Sequence, residues 1–178
     1  MKLYTADLHF GHTNVLRFDH RPFSNRDEMD RILIERWNER VNADDEIYIL
    51  GDICYHSFYS AAWYLRQLKG RKILILGNHD LRIPSDPETR RYLESVEKMM
   101  SIEDGARTIV LCHFPLAEWD GFFRGAWHIY GHIHNKKEET YEIMKNRERA
   151  LNAGCMINHY VPVTFDELVK NNEAFKNS

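Results

Sequence analysis

The sequence predicts an α/β fold, and two observations carry that prediction. Short apolar runs alternate with segments whose apolar residues recur at helical spacing. Five of the runs stop abruptly at Asp, Asn or His. Lys2–Ala6 ends in Asp7-Leu8-His9, Ile47–Leu50 in Gly51-Asp52, and Ile73–Leu76 in Gly77-Asn78-His79-Asp80. Thr108–Cys112 ends in His113, and Trp127–Tyr130 in Gly131-His132-Ile133-His134. In open α/β sheets, ligands collect at the carboxyl ends of strands. The runs therefore read as core strands that fix the backbone and aim the next residue into a shared site.

Each element has its own local signal. Lys2–Ala6 is the first strand. Phe10–Pro22 reads as a loop, punctuated by Gly11, Asn14 and Pro22. Ser24, with Asp27 three residues on, is an N-cap pair opening a helix to about Val41. Met29, Leu33, Trp37 and Val41 fall four apart along that helix and form its core stripe. After the second strand, Phe58–Leu68 has helical spacing through Ala61, Ala62, Leu65 and Leu68, with Gly70 as the stop. Pro84–Pro87 is a turn and Glu88–Val96 a helix. Lys98–Ile102 and Thr108–Cys112 form a hairpin across Asp104-Gly105. Asn135–Arg149 alternates charge without a clean period and reads as a solvated hairpin or loop. Ala150–Val163 carries edge strands around Gly154 and Pro162, and Thr164 caps a last helix through Lys170. No repeat, low-complexity tract or linker interrupts the chain, so residues 1–178 are expected to form one domain.

Composition narrows the function classes. The chain is 43% hydrophobic and 29% charged, as a globular protein is. No apolar run approaches the roughly 20 residues needed to cross a bilayer, and MKLYTADLHF lacks the apolar core of a secretory signal. Cys54, Cys112 and Cys155 are widely spaced and odd in number, which fits reduced thiols in a cytoplasmic protein. The net charge of −3 argues against a basic surface for long nucleic acid. It does not argue against a nucleotide or another small phosphorylated substrate, because bound cations add local positive charge.

The polar residues at the strand ends suit a metal site. In extended chain, residues i and i+2 project to one side, so Asp7 with His9, and His132 with His134, can each approach one ion. On a helix the same spacing separates them by about 200°. Glycines before Asp52, Asn78 and His132 permit tight turns and close backbone approach. Asp and His with one Asn carbonyl suit Mn, Fe, Zn or Ni rather than a thiolate-seeking metal. Seven such residues exceed the needs of one ion and fit two divalent cations.

The series DLH, GD, GNHD, H and GHIH, from Asp7 to His134, resembles the calcineurin-like metallophosphoesterase superfamily. The opening DLHFGHTNVLRFDHRPF resembles a compact bacterial and phage branch of it. The resemblance implies a four-layer α/β/β/α sandwich of two mixed sheets. It implies one metal held by Asp7, His9, Asp52 and His134, and a second held by Asp52, Asn78, His113 and His132, with Asp52 bridging. His79 would be catalytic and Asp80 would orient it. Two cations sharing a carboxylate can bind a bridging hydroxide and clamp phosphoryl oxygens. His79 can protonate the leaving oxygen or stabilise developing charge. The expected activity is hydrolysis of a phosphomonoester or phosphodiester; the alternatives are a metal-dependent nuclease and a non-catalytic scaffold of the same fold. His12 and Arg17 are the candidate substrate-binding residues, because an Arg near a phosphate site offers a two-pronged donor. His20 and Arg21 carry a weaker claim. His56, His128 and His159 read as structural, and Trp119, Phe122 and Phe123 read either as a substrate wall after His113 or as packing under a long loop, the latter favoured.

Overall fold

Eight short strands form two four-stranded sheets in the computed structural model, which describes residues 1–178. The first sheet holds β1 (Lys2–Thr5), β2 (Glu46–Ile49), β3 (Arg71–Ile75) and β4 (Ser95–Glu97) in that order. All three of its pairings are parallel. An antiparallel partner joins it only at the isolated Tyr4–Val163 bridge, so the mixing expected of both sheets is confined here to one residue pair. The second sheet orders β5 (Met99–Asp104), β6 (Arg107–Cys112), β7 (Trp127–Tyr130) and β8 (Ala150–Asn152). Its β5–β6 pair is the antiparallel hairpin across Gly105, and β7 and β8 follow in parallel.

Alternation along the strands divides the core. Leu3, Ile47, Ile49 and Leu74 face Met29, Leu33 and Trp37 of α2 (Arg26–Arg40) and Tyr64 and Leu65 of α3 (Ala61–Leu65). Tyr4, Tyr48, Leu50, Ile73 and Ile75 face the other way. There they meet Ile109, Leu111, Ile129 and Leu151 of the second sheet. On that sheet's far face, Val110, Tyr130 and Ala150 pack on Trp119 and on Met144 of α5 (Glu139–Met144). Apart from the edge strands β4 and β5, the strands thus bury both faces, which is why they read as continuous apolar runs.

Several local expectations give way to packing. A short helix, α1 (Thr13–Phe18), occupies part of the expected loop and buries Val15. The cap of α2 is Asn25, whose side chain accepts from the Glu28 N–H, while Ser24 donates its own N–H to the Glu28 carboxylate. The expected helix Glu88–Val96 shrinks to α4 (Pro87–Arg90), and the chain then enters β4. Ser95 and Val96 pair with Ile73 and Leu74 there, and sheet hydrogen bonds outweigh a marginal helical preference. The charged Asn135–Arg149 segment folds as α5, which buries Tyr141 and Met144, three residues apart on one face. Thr164 opens α6 (Phe165–Lys176) with a complete capping box, and the helix runs on past Lys170.

The ends of β2 and β3 approach so closely that Gly51 cannot carry a side chain. Its φ is +86°, and an added Cβ would collide with His113 Nδ1 and lie 2.7 Å from Gly77 Cα. Gly51→Ala is expected to lose about 2–4 kcal/mol, combining left-handed strain with overpacking. Gly105→Ala, also left-handed but with nothing nearer than 3.9 Å, isolates the backbone strain at about 1–2 kcal/mol. Denaturant melts of both metal-free variants check this; equal losses would refute the packing account.

Candidate metal centre

Past the strand ends the backbone turns sharply. Asp7 (φ 57°), His9 (φ 52°), Asp52 (φ 58°), His132 (φ 71°) and His134 (φ 54°) all occupy the left-handed region. Sheet-like hydrogen bonds continue across these turns: the Asp7 N–H donates to Gly51 O at 3.0 Å, His9 N–H to Asp52 O at 3.0 Å, and Gly131 N–H to His113 O at 2.9 Å. The side chains therefore do not project as extended i and i+2 pairs. Asp7 and His9 do converge. His132 and His134 instead diverge into different groups, because both residues flanking Ile133 are left-handed.

All seven predicted donors lie in one cluster with two halves. In the first, the ligand-capable atoms of Asp7, His9 and His134 lie within 4.8 Å of one another, with His9 Nε2 3.1 Å from His134 Nε2. In the second, Asp7, Asp52 and His113 satisfy the same limit. Asn78 Oδ1 adds to it, 3.1 Å from His113 Nε2 and 2.9 Å from His132 Nδ1. Asp52 Oδ2 lies between the halves, 3.6 Å from His9 Nε2 and 3.6 Å from His113 Nε2.

The donor chemistry fits divalent cations. His113 Nδ1 faces the Leu50 carbonyl at 2.7 Å. A carbonyl only accepts, so Nδ1 carries the hydrogen and Nε2 presents its lone pair to Asn78 Oδ1, another acceptor. His134 Nδ1 likewise faces both Asp19 carboxylate oxygens at 2.8 Å, which turns its Nε2 towards His9. The His113–Asn78 pair thus sets one lone pair against another, an arrangement a cation resolves. Burial holds His9 and His132 below the usual imidazole range, leaving both neutral, as ligands must be. Burial also raises Asp7 above the usual carboxylate range, and the neighbouring Asp52 charge adds to that. Two adjacent buried carboxylates are costly until a cation offsets them.

The other predicted residues are placed differently. His79 borders the cluster with its Nε2 3.9 Å from Asp52 Oδ2, and 26% of its side chain is exposed. Asp80 does not orient it. Its carboxylate accepts instead from the backbone N–H groups of Asp52 (2.7 Å), Gly77 (3.0 Å) and Ile53 (3.1 Å), clamping the ends of β2 and β3 together. Burial pushes that carboxyl up to about 6. His12, expected to contact substrate, is buried with an unpartnered Nδ1, its ring 5.0 Å from that of Tyr55. Arg17 is exposed on α1, its guanidinium 5.4 Å over the Phe18 ring and without an acidic partner. Arg21 is fully buried and holds the backbone, donating to Leu8 O and Asp7 O at 2.8 Å each and pairing with Asp19. His128 is structural, bonded to Val110 O and to the Leu116 N–H, and Trp119 packs in the outer cluster.

Two residues of the site escaped sequence reasoning. Asp19 holds His134 from 115 positions away, and in sequence it is one acid between basic neighbours. Tyr55 lies with its ring centroid 3.8 Å from that of His79, and no motif marks it. Beside His79 opens a cavity of about 610 Å³ lined by Tyr55, His56, Leu81 and Arg82 among others.

Known proteins resemble this chain along most of its length. An uncharacterized protein of Methanocaldococcus jannaschii is 32% identical over 95% of this chain and 90% of its own length. The gene 66 protein of Mycobacterium phage D29 is 32% identical over 75% of this chain and 78% of its own. A crystal structure of a protein of unknown function from Aquifex aeolicus superposes with a TM-score of 0.75 at 26% identity, covering 96% of this chain and 98% of that one. The sequence profile of the calcineurin-like phosphoesterases matches residues 3–171, and with the strand-end donors gathered as they are, the chain belongs to the calcineurin-like phosphoesterase family.

Proposed function

We propose that the protein hydrolyses a phosphomonoester or phosphodiester of a small molecule at a two-metal centre. Asp7, His9, Asp52 and His134 hold one cation in this reading, and Asp52, Asn78, His113 and His132 hold the other. The observation that carries it is Asp52 Oδ2, equidistant at 3.6 Å from an imidazole nitrogen of each half, where a shared ligand belongs. Divalent cations there supply Lewis acidity towards phosphoryl oxygens and acidify an attacking water. Oxygen and imidazole donors favour Mn²⁺, with Fe, Zn or Ni able to occupy the same set.

The chain's own residues do the rest. His79 has no hydrogen bond at either ring nitrogen and borders both the cluster and the cavity, so it is free to pass a proton from Nε2 to the leaving oxygen. The cavity, at about 610 Å³, accommodates the remainder of a nucleotide-sized molecule and supports a small substrate over long nucleic acid. Arg17 and the cavity-lining Arg82 both lack an acidic partner, and Arg17 is the one assigned here to meet the phosphate. Three free cysteines support a cytoplasmic setting, and no helix is long and apolar enough to cross a membrane.

Exhaustive chelation should abolish hydrolysis of phosphoester substrates, and Mn²⁺ should restore it with close to two ions per chain. Asp52→Ala should lose metal and activity together, whereas His79→Ala should keep both ions and lower kcat by about 10²–10⁴. Metal analysis beside kinetics decides, and full activity in metal-free protein would sink the proposal.

Asp19→Ala should weaken metal affinity by about 10–100-fold, since it frees the His134 ring from its orienting carboxylate. A metal titration of the variant reads this directly; unchanged affinity would reduce Asp19 to a partner of Arg21.

Arg17→Ala should weaken kcat/KM by roughly 1.5–3 kcal/mol without altering metal content. Arg17→Lys should recover only part of that, because a point charge lacks the guanidinium fork. Unchanged kinetics in both variants would return α1 to a purely structural role.

A further inference from the structure

We propose that Tyr55 is the positioning residue for His79. The inference rests on the reading of His79 as the proton donor. A proton donor must be held within hydrogen-bond reach of the leaving oxygen, and misplacement by 1 Å costs on the order of 100-fold in rate. In this protein the usual means of holding an imidazole is missing. Neither His79 ring nitrogen has a hydrogen-bond partner, and the nearest carboxylate oxygen, Asp52 Oδ2, is 3.9 Å away. Only the His79 backbone is tied, its N–H donating to Asp52 Oδ1 at 3.0 Å. Asp80, the adjacent acid, makes no hydrogen bond to the His79 ring, and its two oxygens accept from three backbone N–H groups. Packing must therefore set the ring's rotamer.

Tyr55 supplies that packing. Its ring centroid lies 3.8 Å from that of His79 at an interplanar angle of 43°, the shortest separation between aromatic rings in the protein. The opposing contact, His9, is edge-on at 5.5 Å. Tyr55 is itself braced. The buried His12 ring meets it at 5.0 Å and 85°, and His56 at 4.1 Å and 64°. His12, close to the cluster yet buried, thus serves as a buttress: His12 holds Tyr55, and Tyr55 holds His79. The Tyr55 hydroxyl makes no hydrogen bond, so the ring is what acts, and phenylalanine should serve in its place.

The test is a double-mutant cycle on the metal-loaded protein, with metal content and one non-catalytic readout. Tyr55→Ala should lower kcat by about 10–100-fold, with two ions retained and KM changed less than kcat. Tyr55→Phe should restore kcat. In the His79→Ala background, Tyr55→Ala should cost nothing further, because a residue acting through another has no effect once that other is gone. In protein loaded with diamagnetic Zn²⁺, the His79 ring signal, assigned by its loss in His79→Ala, should carry a ring-current shift that Tyr55→Phe keeps and Tyr55→Ala removes. Multiplicative losses in the double variant, a loss confined to KM, or a His79 signal unmoved by Tyr55→Ala would each overturn the proposal, the KM result marking Tyr55 as a substrate contact. Loss of metal in Tyr55→Ala would overturn it too, as a structural effect. Wild-type kcat in His79→Ala would refute the proton-donor reading itself, and the ring signal would then decide alone whether Tyr55 fixes that side chain.

Discussion

Everything at this site depends on a parallel sheet whose hydrogen bonds continue after its strands have stopped. The Asp7, His9 and Phe10 N–H groups still donate to Gly51, Asp52 and Ile53 carbonyls, although Asp7, His9 and Asp52 have left-handed backbones. Each such residue costs roughly 1–2 kcal/mol relative to ordinary β backbone. Five of the seven candidate ligands carry that strain. It persists because the surrounding structure over-determines it, as is usual where strain serves a site. The apolar strands are short but buried on both faces, and they anchor the turns that would otherwise relax.

Buried charge performs the same task from the side chains. Asp80 binds one N–H at the end of β3 and two just after β2, which locks the two turns at the distance that excludes a side chain from Gly51. Arg21 binds the carbonyls of Asp7 and Leu8, and its partner Asp19 binds His134. In Asp19, burial opposes ionisation, but the His134 hydrogen bond and the Arg21 charge prevail and hold its carboxyl below the usual range. A fully buried Arg–Asp pair adds little stability in itself. Its value here is geometric, because one network fixes the backbone of the first turn and the ring of the last ligand.

The donors were legible in the sequence because each stands immediately after its own apolar run, so local pattern sufficed. How they meet was not legible. Asp7 and His9 meet through left-handed turns and not as an extended i, i+2 pair, and the same kind of turn sends His132 and His134, at that spacing, into different halves. The acid assigned to His79 by its position turned out to be a backbone clamp. Asp19 and Tyr55 act across 115 and 24 positions on residues with which they share no motif, and only the fold brings them there. β4, α1 and α5 share a cause: they are short segments whose state is decided by a neighbouring sheet edge or by one or two buried residues.

His79 is held differently from two of the candidate ligand histidines, and the difference suits a proton's task over an ion's. His113 and His134 are tied through Nδ1 to an acceptor, which fixes both the tautomer and the direction of Nε2. A ligand benefits from that rigidity, because any rotation of the ring moves the ion. His79 is tied through its backbone alone, and both ring nitrogens stay open. A hydrogen bond to Asp80 would have fixed its tautomer and favoured the charged form, and with it the proton. Close, tilted ring packing fixes direction while leaving both nitrogens able to gain or lose a proton. In the proton-donor role proposed for His79, Tyr55 provides an orientation that a carboxylate could give only by also constraining the proton.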